Sequence, residues 1–240
     1  MVNCTTMATA SSTAIDAAAL QRLLSWLSPA YPVGAYTYSH GLERAVEDGA
    51  VRNRESLAAY LSSVLEAGAG RVDGALLAAA WRAAEANDNT ALDSVADLAA
   101  AWRGTVETAL ETMAQGSAFL RVTTAAWPDA RLADFARRHG NAIAHPVAFG
   151  AAAAWQGVPL RVALFGFLSA FVANIVSAGV RLVPLGQTDG QIATAALLPA
   201  LEAATEAALT ADLDRLGTAA PMLDLFSLRH ETQYTRLFRS

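Results

Sequence analysis

The sequence predicts an all-α, single-domain bundle of roughly eight to ten helices packed around one central apolar helix. Three observations predict it. The composition is 54% hydrophobic and only 16% charged, and alanine, the best helix former, supplies much of the apolar share. Apolar residues recur at helical spacing almost throughout, while no segment joins period-two alternation to hairpin turn chemistry. Finally, residues 162–180 form a run of nineteen without a charge, long enough for a core helix that others can cover.

Taken in order, residues 1–14 read as a disordered lead-in, 15–220 as the helical domain and 221–240 as a tail that docks on a partner. The lead-in MVNCTTMATASSTA lacks the charged and apolar regions of a signal peptide. Leu57, Tyr60, Leu61, Val64 and Leu65 trace one buried helix face, and Leu76, Leu77, Ala80 and Trp81 continue the pattern. NDNT at 87–90 offers N-caps for a helix that places Leu92, Val95, Ala99 and Trp102 inward. Val106, Leu110, Met113, Phe119 and Leu120 mark another helix, and WPD at 127–129 is a turn before Leu132, Phe135, Ala136 and His139. Leu197, Leu201, Leu209, Leu213 and Leu216 suggest one long helix, kinked or interrupted near Pro199.

Residues 162–180 match a transmembrane helix in length, and Arg161 and Arg181 flank them. Asn174, Ser169 and Ser177 are poor lipid-facing residues, and the chain offers no second span. A core helix is the expected reading, with no membrane.

Several chemistries are excluded. All 17 cationic residues are arginine, so a phosphate-binding loop with its lysine and a Schiff-base lysine are both impossible here. The net charge of −5 argues against nucleic acid. Cys4 is the only cysteine, which favours a reducing compartment. HETQY at 230–234 places Tyr234 where a zinc protease needs its second histidine. Ser39 and His40 are adjacent and lack an elbow motif. No two of the four histidines stand at helical ligand spacing. On chemistry alone the chain reads as a non-enzyme, with no catalytic, metal or cofactor-binding residue. The alternative is a soluble all-α enzyme whose site is assembled from distant residues.

Three stretches carry a resemblance. LLSWLSPAYPVGAYTYSHGLERAVEDGAV (23–51), RLVPLGQTDGQ (181–191) and SLRHETQYTRLFRS (227–240) stand in consistent order. GSAFLRV (116–122) and HPVAFG (145–150) are weaker echoes. Together they resemble the UreF family of urease accessory proteins. Tyr36 and Thr37 replace the commoner Phe-Ser, and any role the family gives a lysine must fall to arginine or be absent. The resemblance implies an all-helical, soluble, cytoplasmic protein that commonly dimerises. Its implied partners are UreD (also called UreH), the GTPase UreG and apo-urease. Its implied role is to couple GTP hydrolysis to nickel insertion, binding no cofactor tightly itself while the complex handles nickel.

Individual residues carry expected roles. Pro32 and Gly34 suit a tight turn before a helix with Leu42 and Val46, and Gly41 stands in the turn that opens it. Tyr36 and Tyr38 are core or interface aromatics. Glu43 either favours the dipole of its helix or faces UreG. Pro184 ends the apolar helix, Gly186 and Gly190 free the backbone of the next turn, and Thr188 or Asp189 caps the next helix. Gln187 and Gln191 are either interface residues or parts of a structural turn. In the tail, His230, Glu231, Gln233, Tyr234, Arg236, Leu237, Phe238 and Arg239 are expected to order on UreD. Leu237 and Phe238 would be the apolar anchors, with Arg236 or Arg239 pairing with carboxylates.

Overall fold

A computed structural model describes residues 14–102, 104–140 and 142–240. All of the predicted lead-in except Ala14 lies outside them, Cys4 included. Among the described residues every regular element is helical: α1 Ala17–Leu27, α2 Leu42–Glu47, α3 Arg54–Ala67, α4 Ala69–Glu85, α5 Asn89–Ala101, α6 Val106–Ala126, α7 Ala130–His139, α8 His145–Trp155, α9 Leu160–Leu182, α10 Gln187–Ala196, α11 Leu198–Leu209 and α12 Pro221–His230. Single 3-10 turns occupy Ala35–Thr37 and Leu213–Arg215.

The all-α reading holds, with more helices than expected because periodic stretches break. The single long helix expected across Leu197 to Leu216 is instead two elements. α11 begins after a 46° bend from α10 at Leu197, and it ends at Leu209 before the second 3-10 turn. Pro199 explains the first break, since it removes a backbone donor in the first turn of α11. Starts are set by local chemistry. The side chains of Asp16, Asn53, Asp88, Thr105 and Asp129 each accept a first-turn N–H, which satisfies donors that have no partner within the helix. The cap expected within NDNT is among them, and the WPD turn supplies another.

The apolar run becomes α9, which packs against α1, α2, α3, α4, α8, α10 and α11. It is the one described helix long and apolar enough to cross a membrane, with mean hydropathy 1.9, and half of its most apolar window is buried inside the protein. Asn174, the least lipid-compatible residue of the run 162–180, donates to the carbonyls of Ala35 at 2.8 Å and Tyr38 at 3.4 Å. Enclosure is more complete for α8, whose residues from Pro146 to Trp155 are all buried. Its small side chains let α4 approach closely. A Cβ at Gly150 would stand 2.5 Å from the Leu77 carbonyl oxygen, too close for any larger residue. An aromatic cluster closes the core where α1, α6 and α8 meet. Trp26 presents its edge to Phe119 at 5.5 Å and Phe149 at 5.7 Å, a favoured arrangement of ring quadrupoles.

The turn after α9 differs from expectation. Val183 is extended and Pro184 follows it, so α9 stops where the proline requires. Gly186 and Gly190 are not needed for left-handed backbone, since neither has a positive φ. Gly190 lies inside α10 and serves packing instead: a Cβ there would meet Val180 at 2.9 Å. Asp189 accepts from the Gly186 N–H and pairs with Arg54 at 3.2 Å. Gln187 and Gln191 are exposed.

Candidate functional site

The first half of α6 is turned around relative to its apolar pattern. Val106 and Leu110 are 64% and 65% exposed, while Glu107, Glu111, Thr112 and Gln115 are buried. Burying carboxylates is costly unless donors meet them. Here the donors come from the far end of the chain. α12 packs on α2, and residues 231–240 fold back across α2 and α6.

Three carboxylates receive that segment. Glu43, in the first turn of α2, accepts from the backbone N–H of Leu237 at 2.7 Å and of Phe238 at 3.0 Å. Its second oxygen also lies 3.2 Å from His230 Nε2. His230 is fully buried, and its Nδ1 lies 2.7 Å from Glu107. Carboxylate oxygens only accept, so both contacts are satisfied when both ring nitrogens carry a proton. The other Glu107 oxygen accepts from Arg236 at 2.8 Å. Glu111 takes the Ser240 hydroxyl at 2.8 Å and His40 at 2.8 Å. Two backbone bonds complete the clamp: Ser39 N–H to the Ser240 oxygen, and Arg239 N–H to the Thr37 oxygen, each at 2.8 Å. At the entrance, Glu231 accepts from the Val106 N–H at 3.1 Å, capping α6 from outside its own sequence neighbourhood.

Local backbone geometry allows this approach. Gly41 opens α2 at φ 73°, a conformation that strains other residues. A Cβ there would stand 2.9 Å from the Ser227 nitrogen of α12. Gly34, at φ 75°, turns the chain one step earlier, just after Pro32.

The structure therefore divides the predicted partner-binding residues into two groups. Glu43, His230 and Phe238 are buried within the chain itself. Phe238 is 4% exposed, with the Arg181 guanidinium 4.6 Å above its ring. Burying such a side chain contributes roughly 1.5–3 kcal/mol. Tyr38 is buried too, beside the same groove. The outward group holds Tyr234, fully exposed, and Leu237, 64% exposed. With Val106 and Leu110 of α6 they leave four large apolar side chains exposed around the docked segment. Leu110, Leu237 and Arg239 line an open groove there, with Arg236 at its edge. Tyr36 is 65% exposed on the 3-10 turn. Gln233 binds the nearby Thr235 carbonyl at 3.2 Å. The exposed Gln187 and Gln191 belong to α10 and take no part in the clamp.

Sequence reasoning missed Glu107, Glu111, Gln115 and Ser240. The first three carried a readable signal, since 107, 111 and 115 fall four apart and share one helix face. Among the described residues, no three His, Cys, Asp or Glu side chains are grouped to hold a metal ion.

Comparison with known proteins finds a family and near relatives for the chain. The family model named UreF matches residues 51–198. The chain is 69% identical over 223 residues to a urease accessory protein UreF of Granulibacter bethesdensis, covering 93% of this chain and 94% of that one. It is 53% identical over 235 residues to a urease accessory protein UreF of Rhodopseudomonas palustris, covering 98% and 97%. A urease accessory protein UreF of Methylorubrum populi is 50% identical over 219 residues, covering 91% and 98%. With a matched family model over most of its length and relatives this similar end to end, the chain belongs to the UreF family of urease accessory proteins.

Proposed function

We propose that this chain is a non-catalytic scaffold in urease maturation that binds UreD (UreH) and, with it, recruits the GTPase UreG to apo-urease. In this reading it couples GTP hydrolysis by UreG to nickel insertion, acts in the cytoplasm, and works as a homodimer. It binds no cofactor tightly, and nickel is handled by the assembled complex. Neither a membrane nor nucleic acid is a partner.

One observation carries the reading: Val106, Leu110, Tyr234 and Leu237 stand exposed around a segment that the chain's own carboxylates hold in place. A few large apolar side chains beside arginines, left in water around a rigid support, are what a protein interface uses as anchors. The clamp orders residues 237–240 before any partner arrives, which lowers the entropy cost of association. This changes the expected mode of docking. The tail presents Leu237 and Tyr234 while Phe238 holds it in place.

The test is a detergent-free co-expression pull-down with UreD, comparing the wild-type chain with a Leu110→Ser, Tyr234→Ser, Leu237→Ser variant. Loss of capture by a variant with unchanged helicity and melting supports the reading. Equal capture by both proteins moves the contact elsewhere on the molecule and overturns this surface.

A further inference from the structure

Away from the exposed anchors, the end of α1 and the following 3-10 turn leave a cavity against α6, α8 and α9. Its volume is about 270 Å³. The walls are aromatic, built by Trp26, Tyr31, Phe149, Phe167 and Phe171. No arginine is among the described residues that line it, so the wall holds no permanent cation for an anion. The one carboxylate at the wall, Glu111, already accepts from His40, Gln115 and Ser240. A neutral occupant is what this lining suits.

Three polar groups at the wall have capacity that the other described residues do not use. Gln115, 7% exposed, spends its Nε2 on Glu111 at 2.9 Å, and its Oε1 has no partner among the described residues. Asn174 spends its Nδ2 on Ala35 and Tyr38, and its Oδ1 has no partner among the described residues. His145 is caged by Phe119 at 5.5 Å, Phe167 at 5.2 Å and Phe149 at 6.3 Å. Among the described residues, neither of its ring nitrogens has a hydrogen-bond partner. Burial holds this ring neutral, its pKa lowered to about 4, so one nitrogen donates and the other accepts. Gln115 is buried and His145 and Asn174 are half-buried, so all three can offer these atoms to a molecule that enters the cavity.

We propose that this cavity is a binding site for a small, neutral, ring-sized organic molecule carrying an O–H or N–H donor, recognised by His145, Gln115 and Asn174. The aromatic wall covers the body of the ring, and the polar wall takes the donor and returns one from His145. Size is compatible, since an apolar cavity of about 150 Å³ is enough to admit benzene. The inference is independent of partner docking, because none of the three recognition residues lies among the exposed anchors.

Phenol is the probe, titrated into the full chain by NMR, with toluene as the same shape lacking the donor. Saturable one-site binding of phenol at about millimolar affinity or better is expected. Toluene should bind at least about tenfold more weakly, because it leaves the polar wall unpaired. Ala170→Trp, which places a ring in the cavity, should abolish both. Ala173→Trp at the exposed rim replaces it should that variant fail to fold. His145→Phe conserves volume and should bring phenol down to the affinity of toluene while leaving toluene unchanged. No saturable phenol binding to the folded chain would overturn the site. Binding unchanged by a folded filling variant would do the same, and equal phenol and toluene affinities would overturn the polar recognition.

Discussion

Glu43 of α2 and His230 of α12 meet at 3.2 Å across 187 residues of sequence. The same carboxylate holds the Leu237 and Phe238 amides, so one side chain ties two parts of the C-terminal segment to the N-terminal third of the fold. Removing the Glu43 carboxylate takes the acceptor away from the Leu237 and Phe238 amides, and a buried donor left unpaired costs about 1–3 kcal/mol. Glu43→Ala should therefore cost the docked segment about 1–3 kcal/mol or more. The loss is confined to that segment, because it can undock without unfolding the core. Hydrogen exchange is the measurement: amides 237 and 238 should lose protection while those of α4 and α8 keep theirs. Retained protection at 237 and 238 would show that the segment is held by other contacts.

Leu237 and Phe238 are neighbours with opposite assignments, 64% and 4% exposed. Phe238→Ala should lower the stability of the docked segment by about 2–4 kcal/mol, a little below the cost at a fully enclosed site. Leu237→Ala should change stability by less than about 0.5 kcal/mol, as exposed positions do, yet weaken capture of UreD. Hydrogen exchange of the docked segment, paired with pull-downs, separates the two. The same outcome for both residues, in either assay, contradicts the division.

Much of the fold was legible because it follows from spacing. The 57–65 face, the cap in NDNT, the turn at WPD and the end of α9 before Pro184 are local consequences of side-chain periodicity and backbone chemistry. The break at Leu197 was less legible, since the leucine pattern runs on through it and only Pro199 signals a change. The clamp was hardest to read. Its residues were mostly singled out, but their direction was not, because Glu43, Glu107 and Glu111 look like a solvated face until donors from positions 230–240 are brought to them. Such pairings are non-local, and periodicity carries no information about them. Val106 and Leu110 show the converse. Their apolar spacing suggested a buried face, whereas carboxylates already committed to the tail turned it outward.

Gly116 fixes the approach of α6 to the segment that opens α8. A Cβ at this position would overlap the Ile143 carbonyl oxygen and stand 2.7 Å from the His145 nitrogen. These are backbone atoms that cannot rotate away. Gly116→Ala gains helix propensity worth about 1 kcal/mol, but overpacking against backbone costs about 1–3 kcal/mol or more. The net expectation is destabilisation, read as a lowered midpoint in urea with an unchanged slope. A stabilised variant would mean that the two segments separate at little cost.

His145 gives the fold a specific acid sensitivity. Desolvation lowers its pKa from 6.5 to about 4, against a smaller opposing pull from Glu111. Above pH 6.5 the ring is neutral in both folded and unfolded chains, so it contributes no pH dependence. As pH falls below 6.5 the unfolded chain takes up a proton that the folded chain refuses until about pH 4. The unfolded state then binds more protons, and stability declines as pH falls. The full difference is roughly 3 kcal/mol, developed across that window and level below it. Urea unfolding of the wild type and of His145→Gln at matched pH values isolates the effect, since the other groups titrate in both. The wild type should lose roughly 3 kcal/mol more than the variant between pH 6.5 and 4. Parallel curves would place the protonated ring in contact with water and remove the desolvation argument.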